Sequence, residues 1–236
     1  MTHQDQYATM DDMKDKRNHY PICVMAHKKQ NLQFNTNDVA IRKVLKCTLE
    51  EKHREDPTVR IIDELGVNNG SARVDIAVVN GVLHGYEIKS DLDTLQRLPA
   101  QIEAYNTVFD KVTIVVGAHH IHEALGLVPD WWGVSLVRRN AKGDLYLSNI
   151  READKNPSPD SVAIARLLWR DEALAILESI NAARGVRTKT RSVIYERLAT
   201  NLEQSALRKR VRETLFFRPN WRVEQKLQIN GGSVQP

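Results

Sequence analysis

The sequence predicts a mixed α/β core, a central sheet flanked by helices, followed by an all-helical C-terminal extension. Three observations point there. Two apolar runs, 73–79 (RVDIAVV) and 82–89 (VLHGYEIK), are joined at Asn80-Gly81, a strong hairpin signal. Residues 111–117 (KVTIVVG) form a short continuous apolar run, as expected of a strand buried on both faces. Beyond the break at Asn156-Pro157-Ser158-Pro159, the chain reads as helices only.

The remaining elements follow in order. Residues 1–35 are polar and aperiodic apart from Ile22, Cys23, Val24 and Met25, and are expected to form a loosely ordered arm. Asn35-Thr36-Asn37-Asp38 starts a helix carrying Ile41, Val44, Leu45 and Leu49, which fades near Asp56-Pro57. A short strand through Val59, Ile61 and Ile62 ends at Asp63-Glu64-Leu65-Gly66. After the hairpin, Ser90 or Asp91 caps a helical stretch, and Pro99 opens a helix with Ile102, Tyr105 and Phe109. A second hairpin joins 131–137 (WWGVSLV) to 144–150 (DLYLSNI) through Lys142-Gly143. Helices follow around 160–184, 191–202 and 205–217. The organisation is therefore an arm (1–35), a sheet domain (36–155) and a basic helical extension (156–236).

With 236 residues, 42% hydrophobic, the chain has enough material for a sizeable core. Its two cysteines, Cys23 and Cys47, exclude a disulfide framework or a four-cysteine metal site within one chain. No apolar run nears the roughly 18 residues that span a bilayer, and the N-terminus has no apolar signal-peptide segment. A soluble, cytoplasmic protein with no membrane partner is expected.

The chemistry centres on Asp75, Glu87 and Lys89. Two carboxylates about 4 Å apart repel by roughly 4 kcal/mol at an effective dielectric near 20, so a protein that places them together normally binds a cation. Magnesium takes hard oxygen ligands, and a lysine alongside orients water or stabilises developing negative charge. Glu87 and Lys89 are two apart on a strand and share a face. Asp75 joins that face only if the hairpin loop has odd length, with Gly81 at positive φ. The apolar pattern favours the odd loop: it unites Val74, Ile76, Val78, Tyr86 and Ile88 on one core face.

The order Glu64, Asp75, Glu87-Ile88-Lys89 resembles the PD-(D/E)XK, or restriction-endonuclease-like, nuclease superfamily. The string from Gly70 to Gln101, with its GYEIKSDxDTLxRLPxQ signature, is similar to an uncharacterised bacterial group within it. The resemblance implies a core of helix, three-strand meander, helix and further strand, supplied by residues 37–117. It implies a DNA-hydrolysing enzyme using Mg²⁺ or Mn²⁺, with RNA not excluded as a substrate. Asp75 and Glu87 would hold the metal, Lys89 would assist the attacking water, and Glu64 would add a ligand. Ala72-Arg73 precede Val74-Asp75, where the family name has proline before aspartate. Gln101 and Tyr105 match the QxxxY element of RecB-like members. The residues themselves leave alternatives open: Asp63 rivals Glu64, Gln101 fits a helix cap, and Tyr105 fits plain core. A non-cleaving nuclease-fold module that binds nucleic acid or protein is the alternative function.

His119, His120 and His122 lack a partner at zinc-ligand spacing and read as loop or helix-start residues; Trp131 and Trp132 read as a packed pair. Between Arg184 and Arg222, eleven basic side chains face three acidic ones, a local +8 in a chain of net +4. Arg208 and Arg212, with Arg73 near the site, are the expected phosphate contacts; a solvated helix face is the bland alternative.

Overall fold

The computed structural model describes residues 35–219. All of the expected arm except Asn35 lies outside the described residues, as does Arg222. The first helix, α1 (Asp38–Lys52), starts as its sequence dictates: the Asn37 side chain accepts the Ala40 N–H at 2.9 Å. Three strands follow, β1 (Arg60–Val67), β2 (Ala72–Val79) and β3 (Leu83–Lys89). Then come α2 (Leu98–Asn106), β4 (Lys111–Val116), α3 (Ile121–Leu127), β5 (Gly133–Arg139) and β6 (Leu145–Arg151). The chain continues through α4 (Ser161–Ala165), α5 (Arg170–Ser179), α6 (Arg191–Asn201) and α7 (Gln204–Phe217).

The six strands form one mixed sheet in sequence order. β1, β2 and β3 are antiparallel, β4 and β5 continue in parallel, and β6 returns antiparallel. The sheet is covered on both faces. On one, Ile41, Val44, Leu45 and Leu49 of α1 pack on Ile76, Val78, Tyr86, Ile88 and Val115. On the other, α2 and α4–α7 share a single cluster with Ile62, Ala77, Val79, Leu83, Ile114 and Val116. The C-terminal helices therefore share their core with the sheet. No helix among the described residues is long and apolar enough to cross a membrane.

Several expectations need correction. β1 does not stop at Asp63–Gly66 but runs on to Val67, with Glu64 in the left-handed region at φ 55°. Val74 does not share a face with Ile76: it joins the opposite cluster, with Ala77. The cause is local. Ile62 and Leu65, three apart, also share one cluster, so both strands change parity across the rung where Glu64 faces Asp75. No ladder pair forms at that rung.

Ser90 and Asp91 start no helix. Asp93 instead accepts from the Ser90 N–H and hydroxyl, and Asp91 accepts from the Thr36 N–H and hydroxyl. The helix opened by Leu98-Pro99 ends at Asn106, so Phe109 lies beyond it, buried against Gly85. The stretch 160–184 divides into α4 and α5.

Candidate active site

The β2–β3 connection decides whether a site exists. Val79 pairs with Leu83, leaving Asn80-Gly81-Val82 as a three-residue loop with Gly81 at φ 84°. The odd loop carries the register onward, Ala77 to Gly85 and Ile76 to Tyr86, so the next rung sets Asp75 against Glu87. The ladder stops one rung short. Asp75 Oδ2 takes the Ile88 N–H at 2.7 Å in place of a backbone partner. The strands part where the two carboxylates meet.

Each carboxylate is held by protein donors. Arg42 of α1 donates to Asp75 Oδ1 at 2.6 Å and to the Asp75 carbonyl at 2.9 Å. Glu87 Oε1 accepts from Lys89 Nζ at 2.7 Å and Gln101 Nε2 at 2.6 Å, and Oε2 lies 2.7 Å from the Tyr105 hydroxyl. Glu87 is 2% and Lys89 4% exposed. Burial, then the charge of Asp75, raise the Glu87 pKa to about 7 against the opposing pull of Lys89. Burial likewise raises Asp75, opposed by the Ile88 N–H and Arg42. Tyr105 is pushed up by burial and by the Glu87 charge.

Four of the expected residues thus converge on Glu87 or its rung with Asp75: Lys89, Gln101, Tyr105 and Asp75 itself. Glu64 does not join them. It is exposed and pairs with Arg73 at 3.3 Å. Among the described residues no group of three or more His, Cys, Asp and Glu is placed to hold a metal ion. The rival Asp63 pairs with Lys46 at 2.9 Å.

The residues nevertheless fit a single hard cation completed by water and substrate, because magnesium commonly takes only one or two protein carboxylates. Gln101 Oε1 is buried without a hydrogen-bond partner beside Glu87, a further hard oxygen at this point. Its amide nitrogen is committed to the carboxylate, which fixes which atom is the orphan.

Sequence reasoning missed Arg42. Its signal was the Asp38–Arg42 spacing of four on α1, an ordinary helix pair that also exists, at 3.3 Å. Arg208 and Arg212 are not free cations on a solvated face. Both point to Asp110, Arg212 at 3.6 Å, and are 12% and 21% exposed at the side chain. Asp110 itself accepts the Leu83 N–H, so a buried carboxylate has drawn the two arginines inward. His119 and His120 bind Asp91 and the Asp93 carbonyl, in line with loop residues. Trp131 and Trp132 pack edge to face at 6.0 Å.

Beside the site opens a cleft of about 730 Å³, lined among others by Asn68, Arg73, Arg97, Gln101, Asp160 and Arg166. Gln101 and Arg73 belong to both, since the Tyr105 hydroxyl at Glu87 also donates to the Arg73 carbonyl at 2.6 Å.

Among solved structures, the SPO1766 protein of unknown function from Silicibacter pomeroyi is similar over 65% of this chain and 100% of that chain. The two share 18% sequence identity, with a TM-score of 0.36. Protein cII of Enterobacteria phage P4 is 51% identical over 55 residues, 23% of this chain and 21% of that protein. The match thus spans about a fifth of the relative's length. The family described as Bacteriophage P4 protein cII matches residues 34–226, which take in the whole sheet, the Asp75–Glu87 rung and the C-terminal helices. The chain belongs to the Bacteriophage P4 protein cII family.

Proposed function

We propose that this protein is a metal-dependent nuclease that hydrolyses phosphodiester bonds of DNA on a restriction-endonuclease-like core. The observation that carries the reading is the three-residue hairpin loop, which sets Asp75 against Glu87 and Lys89 where β2 and β3 part. The element order supports it: α1, the β1–β2–β3 meander, α2 and β4 follow the order of such cores. Asp75 and Glu87 would hold Mg²⁺ or Mn²⁺, with Gln101 Oε1 adjacent. The ion, when bound, would polarise a phosphoryl oxygen and lower the pKa of a water. Lys89 contributes a fixed, water-excluded positive charge where negative charge develops. Tyr105 and Gln101 hold the Glu87 carboxylate in place; Arg42 does the same for Asp75.

One observation favours a second reading, a nuclease-fold module that binds without cutting. Glu87 and Lys89 are almost wholly buried, and every oxygen of both carboxylates already has a protein partner. Incubating the protein with linear and circular DNA, and with RNA, in Mg²⁺, Mn²⁺ or EDTA separates the two. Cleavage that needs metal, and falls on the order of 10²-fold or more in Lys89→Met, is the expected result. Binding with all nucleic acid left intact would select the second reading.

A further inference from the structure

The walls of the cleft beside the site come from distant parts of the chain. Arg73 stands on β2, Arg97 just before α2, and Arg166 at the C-terminal end of α4. The Arg97 side chain is exposed and makes no hydrogen bond or ion pair among the described residues; only its carbonyl is engaged, accepting the Gln101 N–H at 3.1 Å. Arg166 is half-buried, and its side chain makes one hydrogen bond among the described residues, to the Asn68 side-chain oxygen at 3.3 Å. Of the two acids in the lining, Asp160 is occupied capping α4, where it accepts the Ala163 N–H at 2.6 Å. Glu103 is exposed. The Arg97 and Arg166 side chains are therefore open to a ligand, whereas Arg73 is paired with Glu64 and one of the two acids is engaged.

We propose that this cleft binds the phosphate backbone of a nucleic-acid strand, with Arg97 and Arg166 as its principal contacts, and leads that strand to the Asp75–Glu87 rung. The proposal rests on the nuclease reading for its substrate class. It also gives the C-terminal helices a function: α4 supplies one wall of the cleft, in place of the basic face expected on α7. Arginine suits the task because its planar fork pairs with phosphate oxygens in a bidentate manner. Gln101 joins the cleft to the carboxylates, since it lines the one and donates to Glu87 in the other.

Fluorescence anisotropy with labelled single-stranded and duplex DNA in EDTA tests this without any cleavage. Arg97→Glu with Arg166→Glu should weaken binding at least tenfold. The milder Arg97→Gln with Arg166→Gln should flatten the dependence of log affinity on log salt by about 0.7 to 0.9 per lost phosphate contact. Both variants should keep the wild-type unfolding midpoint. Lys189→Glu with Arg191→Glu, exposed and outside the cleft lining, is the control and should bind as wild type does. Unchanged affinity in the cleft variants, loss only in the control, or a wild-type protein that binds neither probe would overturn the proposal. Cleft-dependent binding by a protein that never cuts DNA in Mg²⁺ would remove the nuclease reading and leave the cleft assignment standing.

Discussion

Glu87 sits between a cation that favours its charge and a burial that opposes it, and burial prevails, placing its pKa at about 7. The neighbouring hydroxyl agrees. Tyr105 has one proton and two acceptors in reach, the Arg73 carbonyl and Glu87 Oε2. A protonated Glu87 donates to that hydroxyl while the hydroxyl donates to Arg73, so all three groups are satisfied. The raised pKa fixes a sign. Between the ordinary value of 4.5 and about 7 the folded state binds more protons than the unfolded state. Metal-free stability should therefore be highest below the lower value and fall as pH rises towards 7. Asp75, also raised, adds in the same direction. Urea unfolding in EDTA from pH 4.5 to 7.5 should show this decline and a shallower one in Glu87→Gln. An identical slope in the two proteins would place the proton elsewhere.

The β2–β3 hairpin shows what was legible in the sequence and what was not. The choice between even and odd loops rested on a single apolar face, and the odd loop is present with Gly81 at φ 84°. The apolar face was only partly right, because Glu64 at φ 55° breaks the period of two and sends Val74 to the other side. No propensity rule announces a left-handed glutamate inside a strand; strain of this kind is seen only once neighbours hold it. Open space surrounds a Cβ built at Gly81, so any cost of replacement there is backbone strain alone. Gly81→Val should destabilise by about 1–2 kcal/mol in chemical denaturation, and lower activity at temperatures where the wild type still functions. Gly81→Ala should be milder than valine; equal, negligible effects of both would mean that the loop relaxes into another turn.

For the whole molecule, composition separated a sheet domain from a helical tail, yet the folded chain joins them in one core. The tail's basic count was legible; the destination of each arginine was not, because Asp110, distant in sequence, decides it. Arg208 and Arg212 meet at that carboxylate, which also takes the Leu83 N–H at the start of β3. Arg218 likewise turns inward, pairing with Glu172 at 2.5 Å and lying over the Trp169 ring at 4.2 Å. Arg208→Ala leaves a buried carboxylate short of its closest cation and should cost about 3–5 kcal/mol of stability. At temperatures where it stays folded, its DNA affinity should match the wild type, the reverse of the outcome at Arg97 and Arg166. A stable Arg208→Ala protein with weakened DNA binding would restore the phosphate-contact role to α7.

The central claim is that Asp75 and Glu87 together hold a divalent cation. Electron paramagnetic resonance of Mn²⁺ tests it most directly, since the signal of free hexaaqua ion falls as protein binds metal. One Mn²⁺ per chain is expected at pH 7.5, weakening as pH falls below about 7 because Glu87 must lose its proton to bind. Asp75→Asn with Glu87→Gln should leave the Mn²⁺ signal at its protein-free level. Retention of the wild-type stoichiometry and affinity by that double variant, or no binding by the wild type, would contradict the account.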